Sequence, residues 1–235
     1  MATQISQIEV LARRHLVETT ASFWSSPELT DITIAGIRDL WRDIVDLKQE
    51  HYLIHNITDV SLPSNSDHLL GVPIDVHKVY MIEPRDLSEN GANHGLVFEP
   101  RDYNTSIFQR ARSISPIEAV NDVIFYAIHS QGAPVGAPTI LIAPQVTSSI
   151  PLAFSYVPTL GSMTKDSIVP IPGEADNALK AWTIAYARAK ETEDRVPDAG
   201  WLSIYASEKA HLMQSLGLRQ YQAPSYTQAI YEEYW

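Results

Sequence analysis

Apolar residues at the start of the chain recur every three or four positions, which is the spacing of one face of a helix. Ile5, Ile8 and Leu16 follow this spacing and predict a helix over residues 4–20. Thr3 stands where an N-cap is expected, because its hydroxyl can accept a hydrogen bond from an amide of the first turn.

A second helix is predicted to start at Ser26-Pro27-Glu28, which supplies a capping hydroxyl, a proline suited to the first turn and an acid at the positive end of the helix dipole. Its apolar stripe is formed by Ile34, Ile37, Trp41 and Ile44. The opposite face carries three acids, Asp39, Asp43 and Asp46. Since Arg38 and Arg42 alternate with these acids, the pattern indicates a solvated face on one of two antiparallel helices.

Between residues 57 and 170 the pattern changes to short apolar runs separated by Pro, Gly and Asn. A short helix is expected over Asp102–Ala111. Residues 140–144 and 152–156 are expected to be paired neighbours in a small antiparallel sheet. The predicted strands are Val76–Glu83, Val123–His129, Thr139–Ala143 and Leu152–Val157.

Two more helices are predicted toward the C-terminus. The first begins near Glu174, and its stripe consists of Ala178, Ala181 or Trp182, Ala185 and Ala189. The small residues of this stripe predict close packing against another helix. The last helix is predicted from Pro197 to Gly217, since a glycine commonly closes a helix.

These elements predict an α+β protein in three parts. Residues 1–56 and 171–217 form a helical bundle, residues 57–170 form a β-rich insert, and residues 218–235 form an extended tail. A chain of 235 residues with 45% hydrophobic and 19% charged residues has the composition of an ordinary globular protein.

Composition excludes several kinds of chemistry. The chain has no cysteine, which rules out disulfides, thiolate metal sites and cysteine nucleophiles. No apolar run approaches the roughly 20 residues that span a bilayer, and residues 1–9 lack the pattern of a secretory signal. We therefore expect a protein made in a cytoplasm, with no membrane partner.

The search for catalytic motifs finds no Gly-rich phosphate loop and no nucleophile elbow. His51 and His55 are four residues apart and would share one face of a helix, but Tyr52 stands where a zinc protease carries its glutamate. We predict a protein that is not an enzyme and binds no metal or cofactor. A metal-dependent hydrolase built on this histidine pair is the minor alternative.

Aromatic residues are concentrated at the end of the sequence, in Tyr221, Tyr226, Tyr231, Tyr234 and Trp235. Disordered ends usually lack aromatics, whereas Tyr and Trp anchor interfaces because they bury a large area with few rotatable bonds. The tail is therefore predicted to dock onto a partner, with packing against its own domain as the alternative.

This layout resembles the head–tail adaptor, or connector, proteins of tailed bacteriophages, a group to which tail tubular protein A of short-tailed phages is similar. The most telling passage is Ile168-Val169-Pro170-Ile171-Pro172-Gly173-Glu174-Ala175-Asp176-Asn177-Ala178-Leu179, which resembles the family's step from last strand to long helix. Residues 199–205 are similar to the start of the family's final helix, and Trp41 in the second helix fits the N-terminal pair.

The resemblance implies a structural virion protein of the neck, made in the host cytoplasm. Family members form a ring, commonly of twelve copies, beneath the portal and extend the DNA channel during genome retention and ejection. The implied partners are the portal protein, a tail or nozzle protein, other copies of the chain, and double-stranded DNA that passes without specific binding. The five tail aromatics become the expected portal anchors.

The net charge of -11 fits a channel that does not grip DNA, because acidic side chains repel phosphates. The segment from Glu28 to Asp67 contains 8 acids and 3 bases. We predict an acidic face toward the channel or a neighbouring subunit, formed by Asp39, Asp43, Asp46 and Glu50. Another neck or tail component, a stopper or a tail terminator, is the main alternative; such proteins are usually smaller and richer in strands.

Overall fold

The structure is a computed structural model that describes residues 3–18, 23–47, 50–64, 69–85, 96–114, 123–129, 139–192 and 195–220. The chain divides into two compact units, a helical unit of Met1–Leu53 with Ser162–Trp235 and a β-unit of Ile54–Gly161. The combination of helices and mixed sheets confirms the α+β class. The unit boundaries fall at 53/54 and 161/162, whereas the sequence predicts them at 56/57 and 170/171.

The described residues form five α-helices: α1 (Ile5–His15), α2 (Ser26–Asp46), α3 (Ser106–Arg112), α4 (Asp176–Arg188) and α5 (Ala199–Gln220). They also form seven strands: β1 (His55–Leu62), β2 (Leu69–Leu70), β3 (Val76–Pro84), β4 (Val97–Pro100), β5 (Val123–His129), β6 (Thr139–Ala143) and β7 (Ile150–Pro158). Helices α1, α2, α4 and α5 belong to the helical unit, and α3 with all seven strands belongs to the β-unit.

Helix α4 is the centre of the helical unit and packs against α1, α2 and α5. As the small residues predicted, its alanines at 178, 181 and 185 are fully buried. On the side of α2, the backbone of Gly36 lies against the indole of Trp182. The Trp182 Nε1 donates a hydrogen bond of 3.0 Å to the Ile32 carbonyl, and the hydroxyls of Thr33 and Thr183 lie 2.9 Å apart.

Helix α1 is shorter than predicted. It ends at His15 because Val17 adopts a left-handed φ of 56°, and the Glu18 amide folds back to donate to the Arg13 carbonyl. Thr3 is not the N-cap; Gln4 occupies that position, and the Thr3 hydroxyl instead donates to a carboxylate oxygen at the start of α4.

Helix α5 differs from the prediction at both ends. It begins at Ala199 rather than Pro197, and its first turn is capped by Asp198, whose carboxylate accepts from the Trp201 amide at 3.0 Å. That backbone hydrogen bond is the largest cause of the lowered pKa of Asp198. Gly217 does not close the helix, which continues to Gln220, because a glycine ends a helix only where it leaves the helical conformation.

The β-unit contains two sheets, with strand orders β1-β7-β3 and β2-β6-β5-β4. The four predicted strands are present, but the predicted pairing of residues 140–144 with 152–156 is wrong because β6 and β7 belong to different sheets. The expectation of an antiparallel sheet is also incomplete, since β4 and β5 run parallel. Strands β1, β2 and β4 were not predicted, and α3 starts at Ser106 rather than at residue 102.

Side-chain alternation explains the layers of the β-unit. Along β6, Ile140 and Ile142 point into a core shared with the sheet of β7, which contributes Leu152 and Phe154. The intervening residues Leu141 and Ala143 point the other way and pack on α3, against Phe108 and Ala111. The sheet of β6 is therefore covered on both faces, by the other sheet and by α3.

The contact between α2 and α4 predicts that Gly36→Ala destabilises the helical unit. An added Cβ at Gly36 would lie 2.7 Å from Cδ1 of Trp182, and the hydrogen bond of that indole prevents it from moving aside. We expect urea unfolding to show a loss of about 1–3 kcal/mol. The matched control Gly71→Ala, where the Cβ would meet nothing within 4 Å, should change stability by less than about 0.5 kcal/mol. Equal effects of the two substitutions would contradict the proposed packing.

Candidate functional site

Two of the predicted acidic residues meet α5 rather than solvent. Asp39 and Asp43 lie one turn apart on α2, and Tyr205 and Lys209 lie one turn apart on α5. The Lys209 Nζ is 2.8 Å from Oδ2 of Asp39 and also contacts the Asp43 carboxylate. The Tyr205 hydroxyl donates to the same Oδ2 at 2.5 Å. These four side chains are referred to as the α2–α5 cluster.

Hydrogen bonding sets the charges in the α2–α5 cluster. Burial acts to raise the pKa of Asp39, but the hydrogen bonds from Lys209 and Tyr205 outweigh it and hold that pKa below its ordinary value. Burial acts to lower the pKa of Lys209, yet its two carboxylate partners leave it raised. Burial and the bond to Asp39 both raise the pKa of Tyr205. At neutral pH Tyr205 therefore keeps its proton and donates a hydrogen bond to the charged carboxylate of Asp39, which also binds the charged amine of Lys209.

The prediction of a solvated face on α2 is therefore wrong for Asp39 and Asp43. Their side chains are about one-third exposed, and both carboxylates contact Lys209. Asp46 at the end of α2 is exposed. Glu50 begins the 3-10 turn Glu50–Leu53, and its side chain lies outside the described part. A role of this face in a channel or at a neighbouring subunit stays a prediction.

The partners of these acids were not predicted, although the sequence contains a signal for them. Tyr205 and Lys209 have the same four-residue spacing as Asp39 and Asp43, so a hydroxyl and an amine, both hydrogen-bond donors, could align with two carboxylates on another helix. The sequence does not show that α2 and α5 both pack on α4, and that arrangement decides which side chains of the two helices meet.

The histidine pair does not form the site that its spacing suggests on a helix. His51 lies in the 3-10 turn Glu50–Leu53 and His55 is the first residue of β1, so the backbone leaves the helical conformation between them. The His55 ring packs edge-on against Tyr156, with centroids 5.9 Å apart. Among the described residues, no three His, Asp or Glu side chains come together as metal ligands would.

The five predicted portal anchors at 221–235 lie outside the described residues. The structure does define where they are attached, because α5 continues to Gln220. Leu212 and Leu216 on α5 are buried, and the helix contacts the 3-10 turn Gly173–Ala175 that precedes α4. The tail therefore leaves the helical unit from the helix that packs beside the start of α4.

A groove of about 440 Å³ lies beside α1 in the helical unit. Val10 and Leu11 expose 51% and 37% of their surface there. At its edge, Oδ2 of Asp176 accepts a hydrogen bond of 2.7 Å from Thr3, while Oδ1 is buried with no hydrogen-bond partner in the described part of the chain. This feature is called the α1 groove, and its lining is Thr3, Ser6, Gln7, Val10, Leu11 and Asp176.

A larger groove of about 610 Å³ lies in the β-unit between β3, β5 and the start of α3. Its walls include the exposed Tyr80 and Ile128. The cationic Arg101 also lines it, but its charge is engaged by Glu99 at 2.7 Å and by the ring of Phe125. The lining thus combines aromatic and aliphatic residues with the charged Lys78, Arg101 and Asp102, a mixture that suits a protein contact.

The described helices include none that is long and apolar enough to cross a membrane. No protein-family model and no curated protein matches this chain.

The α2–α5 cluster predicts a pH-dependent effect of Tyr205→Phe. At pH 7 the substitution removes the hydrogen bond to the Asp39 carboxylate and should lower the free energy of unfolding by about 1–2 kcal/mol. Since the folded-state pKa of Asp39 is lowered, its contribution is present above the ordinary pKa and is lost as the pH falls through the lowered value.

The difference between wild type and Tyr205→Phe should therefore shrink as urea unfolding is repeated from pH 7 down into the titration of Asp39. The exposed Tyr80 provides the control, since Tyr80→Phe should change stability little at any of these pH values. A Tyr205→Phe effect that stays constant as Asp39 titrates would show that the hydroxyl does not act through that carboxylate.

Proposed function

We propose that this chain is a head–tail adaptor protein that forms a ring between the portal and the tail of a bacteriophage. The observation that carries the proposal is the attachment of a segment with five aromatic residues to the end of α5, a helix held in place by its buried contacts with α4. Such a segment suits docking onto a second protein, because aromatic side chains give a large buried area for few rotatable bonds.

The arrangement of the chain supports the same proposal. Helices from its two ends pack together through α4, and the β-unit is inserted between them. This is the layout on which the resemblance to adaptor proteins rests. The described part contains five α-helices, which favours an adaptor over a stopper or a tail terminator, since those proteins are richer in strands.

Exposed apolar surface supports self-association into a ring. Val10 and Val17 are more than half exposed in the helical unit, as is Ile128 in the β-unit. Tyr80 beside Ile128 is about half exposed. Where such residues lie together, as Tyr80 and Ile128 do in the groove of the β-unit, they suit a contact with another protein, and in a ring each subunit would cover one face of the next.

Portal binding through the tail predicts the behaviour of a chain truncated after Gln220. Because the contacts of α5 are made by residues before that point, the truncated chain should keep the circular dichroism spectrum and melting temperature of the full chain. It should no longer add a ring to its portal when the mixture is viewed by electron microscopy. Ring addition by the truncated chain would contradict the assignment of the tail as the portal anchor.

A non-binding DNA channel predicts the effect of reversing one charge. Asp46 is exposed at the end of α2, within the most acidic segment of the chain. In the assembled ring, Asp46→Lys should raise retention of double-stranded DNA in a filter-binding assay, and the gain should fall as salt is added. The control Asp166→Lys changes an exposed acid outside that segment. Equal retention by the two variants would argue against a channel position for Asp46.

A further inference from the structure

We propose that the α1 groove is the docking site of this chain's own segment 221–235 in the unassembled protein. The proposal goes beyond the adaptor function because it requires no portal and no ring. It combines the position from which the tail starts, the length of the tail, and the chemistry of the groove.

The tail starts close enough to reach the groove. Helix α5 contacts the 3-10 turn Gly173–Ala175, and the next residue, Asp176, lies at the edge of the groove. Fifteen residues follow Gln220, and an extended chain covers about 3.3 Å per residue, so the segment can span on the order of 50 Å. The aromatic side chains of the tail are thus within reach of α1 of the same molecule.

The groove lacks what the tail can supply. Val10 and Leu11 present aliphatic surface, and the buried Oδ1 of Asp176 has no donor among the described residues. Because Oδ1 is closed to solvent, the surface that the groove offers to the tail is the aliphatic side chains of Val10 and Leu11, which an aromatic ring can cover. Glu232 and Glu233 of the tail suit this surface poorly, because a carboxylate buried against aliphatic side chains loses its hydration.

Docking in the same molecule would make the tail unavailable to other proteins. An aromatic side chain seated in the groove is not available to a portal, so a portal has to compete with the groove for it. Only this consequence rests on the proposed function. Before assembly, the docked tail would also cover the exposed apolar surface of α1 and keep it from other copies of the chain.

The absence of cysteine makes cross-linking a clean test. Gln7→Cys places a thiol in the α1 groove and Ala229→Cys places one in the tail. With a short bis-maleimide at low protein concentration, we expect a cross-linked monomer to form at least tenfold faster than in the control pair Ala35→Cys with Ala229→Cys. Ala35 is exposed on α2, so this control reports the chance encounters of a tail that is not docked.

Each other outcome overturns the proposal. Equal rates for the two pairs mean that the groove does not hold the tail. A cross-linked dimer as the main product means that the groove takes the tail of a second copy.

A substitution that blocks the α1 groove provides a second test of docking. Val10→Glu adds a charge to the groove and should reduce cross-linking of the groove pair to the control rate, whereas the matched change at an exposed valine elsewhere, Val196→Glu, should leave it unchanged. Circular dichroism establishes that both variants fold. Undiminished cross-linking in folded Val10→Glu contradicts docking in the groove.

The portal experiment is separate from the cross-linking test. Portal binding without preferential cross-linking would overturn only the docking of the tail in the α1 groove. Preferential cross-linking without portal binding would overturn the adaptor proposal alone.

Discussion

The close contact between Gly36 and the Trp182 indole is the constraint on which the helical unit depends. The two residues lie on segments separated by the whole β-unit, and α2 can approach α4 this closely only where a residue has no side chain. The hydrogen bond from Trp182 to the Ile32 carbonyl fixes the ring. The ring in turn packs edge-on against Tyr205 with centroids 4.9 Å apart, which positions α5. The contact at Gly36 is therefore linked through Trp182 to the packing of the last helix.

A buried polar network fixes the arrangement of the connection between α1 and α2. The Arg13 guanidinium, almost fully buried, contacts Glu9 at 2.9 Å and Glu18 at 3.1 Å, and it donates to the Trp24 carbonyl. Such networks add little stability compared with apolar packing, but breaking one partner leaves a buried charge, so they favour a single arrangement. The buried face of α1 combines this network with the apolar Ile5, Ile8 and Ala12, and Val10 and Leu11 lie outside that face.

The sequence located the helices and strands whose periodic pattern is compatible with only one type of secondary structure. Amphipathic spacing located α2 and α4, and apolar runs located β5 and β6. The pairing of the strands could not be predicted. Ile140 is buried on one face of β6 and Leu141 on the other, and the sequence of a strand that is apolar on both faces does not indicate which strand lies beside it. The candidate site was located only in part: the acids of α2 were identified, but Lys209 was not, since its role depends on a contact between helices far apart in sequence.

Helix α5 links the acidic and aromatic features that the sequence presents separately. Its Tyr205 and Lys209 bind Asp39 and Asp43, and the aromatic tail follows its last residue. Because Lys209 engages two acids of α2, the exposed acids that this helix offers to another molecule are Asp31 near its start and Asp46 at its end, rather than a continuous acidic face. The contacts that hold α5 also fix the point from which the tail starts. A change in the α2–α5 cluster would therefore alter the charge of the surface and the position of the tail together.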